Sequence, residues 1–361
     1  MKRGLHVLYE YDVAGRPHAS SYLRLLRPLS YPSVASEITF SRGRRYRQED
    51  ADAVVVDRLW RPDVSPSEVQ ALVAAVRRGG AKLIYNLDDN LLDLAPRVRR
   101  VGAQEVVWPD DRHRESLRLL LSEADVVWVT TPRLKHCLRP YCSSIEIIPN
   151  ALDDRLLMRS PSQVSTTDGS PRPVVIGYMG TRTHDEDLQM IMPALRSISA
   201  RYSDRVSFEV IGGVEKPETK AMLADLRVRY LDRDVIEHEY PYFLLWFSRA
   251  VRWDIAIAPL GSDPFADCKS DVKFLDYAAI GAAAICSRVP AYADTVRHGE
   301  TGWLVENDVD AWVQALDTLI TDADLCHHLA DGALRYLYAR RILAVAAPMW
   351  ARAAISVIER A

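Results

Sequence analysis

Short apolar runs alternate with amphipathic segments along the whole chain. In the first half, the apolar runs predict five strands, Gly4–Tyr11, Ala53–Leu59, Lys82–Asp88, Asp125–Thr130 and Ile145–Ile148. Between them, Ser65–Arg78 and Arg112–Glu123 carry apolar residues at helical spacing. Strands that alternate with helices are typical of a parallel sheet with helices on both faces. The first half is therefore predicted to be a doubly wound α/β domain.

A second domain of the same kind follows a break in the pattern. Residues 158–173 are rich in Ser, Thr and Pro and have no hydrophobic period, which is typical of a linker. Five further strands are predicted, at Val174–Met179, Val206–Ile211, Asp254–Leu260, Ala283–Ser287 and Gly302–Val305. The chain ends in predicted helices at Asp308–Leu319, Asp322–Tyr338 and Ala344–Arg360, the last kinked or restarted at Pro348. These patterns divide the chain into domains 1–157 and 174–340, the linker 158–173 and a C-terminal helical segment, 341–361.

The composition of the chain argues against several classes of protein. The chain has 361 residues, of which 48% are hydrophobic and 26% charged, and it lacks an apolar run long enough to span a membrane. Its start does not have the pattern of a signal peptide, so we expect a cytoplasmic protein. The five cysteines are scattered without a CxxC pair, which argues against a structural zinc site or a disulfide framework.

Two basic stretches lie in the first half of a chain whose net charge is −3. The stretches consist of Arg42, Arg44, Arg45 and Arg47, and of Arg97, Arg99 and Arg100. They are either solvated surface or a face for an anionic acceptor or the inner membrane leaflet, which would make the protein peripheral to that membrane. A nucleic-acid partner is not expected, because no aromatic residues are interleaved in a basic motif.

In open parallel sheets, ligands bind beyond the carboxyl ends of the strands. One such loop begins at Gly180, carries Arg182, and leads into a helix predicted to start near Asp185. Backbone amides at a helix start beside an arginine could bind a phosphate. The alternative is an ordinary tight turn at the glycine.

A second candidate loop leads into a helix with Ser270 as the predicted N-cap and Gly281 as the predicted C′ residue. Lys269, Lys273 and Asp276 are spaced to share a face away from the core. Two lysines at a positive helix start favour a bound anion such as a diphosphate, and the carboxylate could accept hydrogen bonds from sugar or ribose hydroxyls. A solvated face with an ion pair between Lys273 and Asp276 is the alternative.

The first domain offers weaker candidates at the ends of its strands. Asp88 and Asp89 follow a strand and could bind a metal, act as acid and base, or cap a following helix, of which capping is the favoured interpretation. The segment after the first strand contains Gly15, Arg16 and His18, and the histidine could act as a base or orient a hydroxyl. We take these five residues as candidates for the acceptor side of a site.

Together, several motifs of the second half resemble the retaining nucleotide-sugar glycosyltransferases of family 4, which have the GT-B fold. The matching stretches are IIPNALD (Ile147–Asp153), IGYMGTRTHDEDL (Ile176–Leu188), DIAIAPL (Asp254–Leu260), KSDVKFLDYAAIG (Lys269–Gly281) and VRHGETGWLVEND (Val296–Asp308). In the first half, YNLDDN is similar to a stretch of one bacterial branch. The resemblance implies two tandem Rossmann-like, doubly wound parallel-sheet domains with an interdomain cleft. It also implies that the helix around Trp350 returns to the first domain.

The resemblance further implies a nucleotide-sugar site in the second half. The donor-binding residues would be Gly180, Thr181, Arg182, His184, Lys269, Ser270, Lys273 and Asp276. Asp276 would hold the ribose, while Arg182 and Lys273 would stabilise the leaving diphosphate, with His18 as a further catalytic candidate. The expected reaction proceeds with retention and without a metal or other cofactor, since cations and helix ends take the role of a metal.

Departures from the family pattern keep other functions open. Asp276 is shorter than the usual glutamate, and the first acid of the family's E-x7-E motif falls at Cys268. A nucleotide-sugar epimerase and a non-catalytic partner subunit therefore remain alternatives, whereas a dehydrogenase is disfavoured because no G-x-G-x-x-G follows the first strand. The expected acceptor is a glycan, a lipid-linked glycan or a small molecule, in bacterial glycan or glycoconjugate synthesis.

Overall fold

The structure is a computed structural model that describes residues 3–11, 15–47, 51–101, 104–160, 172–180, 185–212, 214, 216–231 and 239–360. The chain forms two compact units. The first comprises Met1–Asp153, Asp267–Ser270 and Ile342–Ala361, and the second comprises Asp154–Ala266 and Asp271–Arg341. The first unit thus gains two later segments, and its long first segment ends at Asp153 rather than at the expected residue 157.

A six-stranded parallel sheet is the centre of the first unit. The strands in chain order, including a separate hairpin, are β1 (Arg3–Leu8), β2 (Ile38–Gly43), β3 (Ala53–Asp57), β4 (Lys82–Leu87), β5 (Arg97–Val101), β6 (Gln104–Trp108), β7 (Val126–Val129) and β8 (Ile145–Ile147). The helices of this part are α1 (Ala19–Ser21), α2 (Arg27–Leu29), α3 (Pro32–Ala35), α4 (Pro66–Arg78), α5 (Asp111–Glu123) and α6 (Pro132–Leu138), with a π-helical stretch at Tyr22–Leu26. The sheet order is β2-β1-β3-β4-β7-β8, so the chain reverses its direction of travel between β1 and β3.

All five strands predicted for this half are present, but the pattern did not predict three others. Strand β2 reads ITFSRG and is mostly exposed at the sheet edge, so it carries no apolar run. Strands β5 and β6 form an antiparallel hairpin outside the sheet. Apolar runs reveal only strands that are buried on both faces, such as β3, whose five residues are all buried.

The second unit contains another six-stranded parallel sheet. Its strands are β9 (Val174–Gly180), β10 (Val206–Gly212), β11 (Arg229–Tyr230), β12 (Ile255–Ala258), β13 (Ala283–Ser287) and β14 (Trp303–Val305). Its helices are α7 (Asp185–Tyr202), α8 (Pro217–Ala224), α9 (Tyr240–Ala250), α10 (Val272–Ala279), α11 (Pro290–Ala293), α12 (Val309–Thr321) and α13 (Ala323–Arg340). The order β11-β10-β9-β12-β13-β14 is the doubly wound order of dinucleotide-binding folds, with its reversal between β9 and β12.

The end of the chain packs in the core of the first unit. Helices α14 (Leu343–Ala346) and α15 (Pro348–Ile358) are separated at Pro348, where a restart was predicted. Trp350 is fully buried in a cluster with residues of β1, β3, β4 and β7. Its indole nitrogen donates to the Arg24 carbonyl oxygen at 2.5 Å, and the Arg24 guanidinium lies 5.7 Å from the ring centre. Among the described residues, no helix is both long and apolar enough to cross a bilayer.

Candidate functional site

The reversal of strand order in the second sheet locates the main candidate site. Strands β9 and β12 are neighbours, and the chain leaves them toward opposite edges of the sheet. A crevice forms beyond the carboxyl ends of such strands, and ligands of doubly wound folds bind there. Gly180 is the last residue of β9, and helix α7 begins at Asp185, as the sequence predicted. The predicted residues Thr181, Arg182 and His184 lie outside the described residues.

Glycines allow close approach of the backbone at this edge. Gly212 ends β10 with φ +91°, and a Cβ built on it would lie 2.0 Å from the Gly180 carbonyl oxygen. A Cβ on Gly180 would lie 2.6 Å from the hydroxyl oxygen of Tyr178. A side chain at either position would collide with protein atoms, so the close packing of the two strand ends requires glycine.

The loop after β12 is held by side chains that sequence reasoning did not identify. The Leu260 N–H donates to Ser287 Oγ at 2.9 Å, and that hydroxyl donates to Asn307 Oδ1 at 2.6 Å. The Asn307 amide returns a hydrogen bond to the Leu260 carbonyl at 2.8 Å. The Gly261 N–H donates to Asp187 Oδ1 at 2.8 Å. These bonds fix the loop before a ligand binds.

Helix α10 begins differently from the prediction. Its N-cap residue is Asp271, not Ser270, whose hydroxyl accepts a hydrogen bond from the Asn150 amide at 2.8 Å in the first unit. Asp271 makes two 2.7 Å hydrogen bonds with Arg341. Gly281, with φ +69°, follows the C-terminal end of the helix, as predicted.

Lys273 and Asp276 both project from α10. The Lys273 Nζ lies 5.1 Å from the ring centre of Tyr178, within range for a cation–π interaction. Asp276 is only 3% exposed, so the solvated-face alternative is wrong for this residue. Its Oδ1 is buried with no hydrogen-bond partner among the described residues, and burial raises the pKa of its carboxyl to about 8. A buried carboxyl in this state needs a hydrogen-bond partner that the described part of the chain does not supply to Oδ1.

In the first unit, the candidates near the end of β1 have structural partners. The Gly15 backbone has φ +80°, and Arg16 is half-buried. His18 is the N-cap of α1, where its Nδ1 lies 3.3 Å from the Ser20 N–H nitrogen. The same nitrogen lies 3.9 Å from Glu10 Oε2. His18 therefore stands at the edge of a cluster that the next residues define.

Asp88 and Asp89 do not cap a helix. Residues 91–93 form a turn, and both carboxylates face Arg58, whose Nη1 lies 2.7 Å from Asp88 Oδ1 and 3.4 Å from Asp89 Oδ2. The Arg58 Nε lies 2.6 Å from Glu10 Oε2. Sequence reasoning missed Arg58 and Glu10. Both residues follow buried strands, and the same position at the end of a strand was the reason for choosing the two aspartates as candidates. The capping interpretation is therefore wrong, and the pair belongs to a buried ion network.

Asp57 is a further carboxyl of this network. It is fully buried at the end of β3 and accepts hydrogen bonds from the Ser21 hydroxyl at 2.5 Å and from the Asn86 amide at 2.7 Å. Burial, followed by the charges of Asp88 and Glu10, raises the pKa of Asp57 to about 6, against the effect of its two hydrogen bonds. The network therefore includes one carboxyl that titrates near neutrality.

Lys269 and Cys268 belong to the segment Asp267–Ser270, which is part of the first unit. The Lys269 Nζ lies 3.9 Å from Asp89 Oδ1. Cys268, at the position of the family's first acid, is fully buried with its sulfur 3.4 Å from that of Cys137. Within the described ranges, no three His, Cys, Asp or Glu side chains come together as a metal site would require.

Two doubly wound parallel-sheet units constitute the GT-B fold, which solved glycosyltransferase structures share. Residues 173–322 match the family model described as "Glycosyl transferases group 1". The match lies within the second half of the chain and covers less than half of its 361 residues. A search of curated proteins gives no match.

Solved structures with the same fold cover the whole chain. Sucrose-phosphate synthase from Thermosynechococcus elongatus has 13% identity and a TM-score of 0.69, with 99% of each chain covered. Anabaena HepE in complex with UDP and glucose has 13% identity and a TM-score of 0.65, covering 99% of this chain and 100% of its own. A glycosyltransferase from Rickettsia africae has 11% identity and a TM-score of 0.64, with both chains fully covered. At such identities the similarity establishes the fold.

Proposed function

We propose that this chain is a retaining glycosyltransferase of family 4 that transfers a sugar from a nucleotide-diphosphate sugar without a metal ion. The observation that carries the proposal is the buried carboxyl of Asp276, on the helix that follows the switch-point loop. Its Oδ1 has no hydrogen-bond donor among the described residues.

A ribose would supply the missing donors. Leaving a buried polar atom unsatisfied costs about 1–3 kcal/mol, so such an atom in a native protein calls for an explanation. Vicinal ribose hydroxyls can form two hydrogen bonds with one carboxyl group, and the family's second motif acid occupies the position of Asp276. The short aspartate reaches the ribose if the nucleotide lies closer to α10 than in relatives with glutamate.

The diphosphate would lie at the start of the same helix. Lys273 stands three residues before Asp276, one turn nearer the positive end of α10, and Gly180 ends β9 before the predicted phosphate loop. Arg182 is expected to add a second cation. These groups would stabilise the charge that develops on the leaving diphosphate, the task of a metal in other glycosyltransferases. The acceptor would attack from the face that the diphosphate leaves, and a phosphate oxygen would take its proton.

Uridine is the first base to test, because Anabaena HepE was solved with UDP and with UDP-glucose. The experiment is calorimetry of the full chain against UDP, GDP and dTDP, repeated with Asp276→Asn. We expect one nucleotide to bind to the wild-type protein and to bind more weakly to the variant. If none of the three binds, or if the variant binds the same nucleotide equally well, the proposal is wrong.

A further inference from the structure

Two free cysteines of the first unit face each other, although 131 positions separate them in the chain. Cys137 lies near the end of α6, and Cys268 lies in the segment Asp267–Ser270. The Cys268 thiol points at the Cys137 sulfur, and the two sulfurs are 3.4 Å apart. Atoms about 3–3.5 Å apart are close enough for bond formation to begin. The cysteine spacing did not predict this pair, since the two residues meet only in the folded chain.

Helix α6 holds the segment that carries Cys268 at further points. The hydroxyl of Thr131, the N-cap residue of α6, donates to the Cys268 carbonyl oxygen at 3.1 Å. The Arg133 Nη2 lies 3.8 Å from Asp267 Oδ2, one residue before the cysteine. The backbone of the segment is therefore fixed beside α6 independently of the thiols. The sulfur contact follows from this placement and does not depend on a single side-chain rotation.

The two thiols differ in their access to solvent. Cys268 is fully buried, whereas Cys137 is half-buried. A dissolved reagent therefore meets the Cys137 sulfur first, with the Cys268 sulfur in contact behind it. An accessible thiol next to a second cysteine that can displace the reagent is the arrangement of redox-sensitive pairs.

The surroundings of Cys268 support its thiolate. Burial, followed by the neighbouring Cys137, raises the pKa of the Cys268 thiol to about 12, while Asn90 and Arg133 act in the opposite direction. The buried amide of Asn90 has its Nδ2 3.8 Å from the Cys268 sulfur. Among the described residues, no third His, Cys, Asp or Glu joins the two sulfurs to make a metal site. Reaction between the sulfurs is thus the chemistry that this pair can perform.

We propose that Cys137 and Cys268 form a reversible disulfide, made by exchange with a low-molecular-weight disulfide RSSR, and that this bond fixes the segment Asp267–Ser270 to α6. The Cys137 thiolate attacks one sulfur of RSSR, which forms a mixed disulfide and releases RS⁻. The Cys268 thiolate then attacks the Cys137 sulfur and releases the second RS⁻. The two cysteine protons pass to the released thiolates, so the cysteines are oxidised and RSSR is reduced to two RSH.

The bond acts on the chain directly before helix α10. Ser270, the last residue of the segment, is followed by Asp271, the N-cap residue of that helix. In the reduced protein, the segment is held by hydrogen bonds and by an ion pair in which Arg133 is half-exposed, and all of these contacts can break and re-form. A disulfide removes that freedom until it is reduced. The inference does not depend on the proposed function, because it concerns the two thiols alone.

Oxidation of the full chain with glutathione disulfide under native conditions tests the proposal. The remaining thiols are then blocked in denaturant, and the peptides are analysed by mass spectrometry. We expect a cross-linked peptide that contains Cys137 and Cys268 and that dithiothreitol separates, while Cys142, Cys286 and Cys326 stay free. Two free thiols after oxidation, or a glutathione adduct that persists on Cys137 without the cross-link, would overturn the proposal.

Serine variants identify the pair. Neither Cys137→Ser nor Cys268→Ser should give the cross-link, and Cys137→Ser changes only the half-buried member, so it serves if the buried Cys268→Ser fails to fold. Cys142→Ser, at the remaining cysteine of the same unit, is the matched control and should still give it. A cross-link between Cys137 and Cys142 in the wild type would disprove the pairing.

Thermal unfolding and amide exchange measure what the bond does to the native structure. A cross-link over 131 positions restrains the unfolded chain, so the oxidised wild type should unfold roughly 5 °C above the reduced protein. Hydrogen exchange of the amides of residues 268–270 should slow at least about 10-fold on oxidation. Cys137→Ser, treated in the same way, should show neither change. An equal or lower unfolding temperature, or unchanged exchange in the segment, would contradict the proposed fixing of the segment.

Discussion

Asp271 and Arg341 form a two-pronged ion pair with both oxygen-to-nitrogen distances at 2.7 Å, and their side chains are only 5% and 11% exposed. The pair joins the first residue before α10 to the residue that follows α13. Helix α10 carries Lys273 and Asp276, so the pair fixes the start of the helix on which both donor-site candidates stand. Two hydrogen bonds in parallel also restrict rotation, which a single contact would allow.

We expect Arg341→Ala to lower the free energy of unfolding by about 3 kcal/mol or more, because it leaves the Asp271 carboxylate buried without its cation. Urea denaturation measures this value. Arg340→Ala, at the exposed neighbouring position, is the control and should change it little. Asp271→Ala combined with Arg341→Ala should recover part of the loss, and a double variant no more stable than Arg341→Ala would contradict the assigned pairing.

Much of the fold followed from the sequence because its strands are buried on both faces. Runs such as Ala53–Asp57 and Ala283–Ser287 have no exposed side, so they read as continuous apolar stretches. Strand β2 and the hairpin of β5 and β6 lack that signal, since they lie at an edge or outside the sheet. Their formation depends on neighbours that are distant in the sequence.

The candidate site was less predictable than the fold. Helical spacing put Asp276 on a face away from the core, yet every residue from Phe274 to Ala279 is buried. Helix α10 packs against both β13 and α13, so its polar positions do not mark a solvated face. The network around Arg58 brings together residues far apart in the sequence, and only the parallel sheet places their strand ends side by side.

Lys273 tests the phosphate side of the proposed site. We expect Lys273→Ala to lower kcat/KM roughly 100-fold or more, about 3 kcal/mol in transition-state stabilisation, because it removes a cation directed at the leaving diphosphate. Steady-state kinetics with the nucleotide sugar that binds in calorimetry give the value. Lys220→Ala, at an exposed lysine of α8 in the same unit, should retain the wild-type rate. An undiminished rate in Lys273→Ala would remove this residue from the mechanism.

Turnover should survive chelation. In the proposed mechanism, Lys273, Arg182 and the amides at a helix start stabilise the negative charge of the leaving diphosphate. EDTA at a concentration in excess of any trace metal should therefore leave the initial rate unchanged. Measurement of product formation before and after dialysis against EDTA checks this. Loss of activity that manganese or magnesium restores would show that a metal takes part, and would assign Asp88 and Asp89 a different role.

The pH dependence of stability tests the buried state of Asp276. Its pKa is raised from the ordinary value of 3.8 to about 8 by burial, so between these values the folded protein holds a proton that the unfolded chain has released. The unfolded state therefore binds fewer protons, and the contribution of this group to stability falls as the pH rises from about 4 to about 8. Asp276→Asn cannot titrate and should lack this decline. The unfolding free energy of the variant minus that of the wild type should therefore increase as the pH rises across that range. A constant difference between pH 5 and 8 would mean that the carboxyl is solvated.

Nucleotide binding by Asp276 variants tests whether the buried acid holds the ribose. Above about pH 8, where the Asp276 carboxyl is ionised, Asp276→Asn keeps the size and replaces a charged acceptor with an amide. Hydrogen bonds to charged groups contribute about 1.5–3 kcal/mol, so nucleoside diphosphate affinity at that pH should fall roughly 10- to 100-fold. Asp276→Glu separates two geometries. If the site has contracted around the shorter acid, the extra methylene clashes with the packed neighbours of α10 and affinity falls. If the site retains the dimensions of relatives with glutamate, the longer acid binds the nucleotide as well as or better than the wild type. Calorimetry with the nucleoside diphosphate alone distinguishes these cases, with circular dichroism as the check on folding. Equal affinity in wild type and both variants would exclude Asp276 from the nucleotide site and leave its buried oxygen to be satisfied by another group.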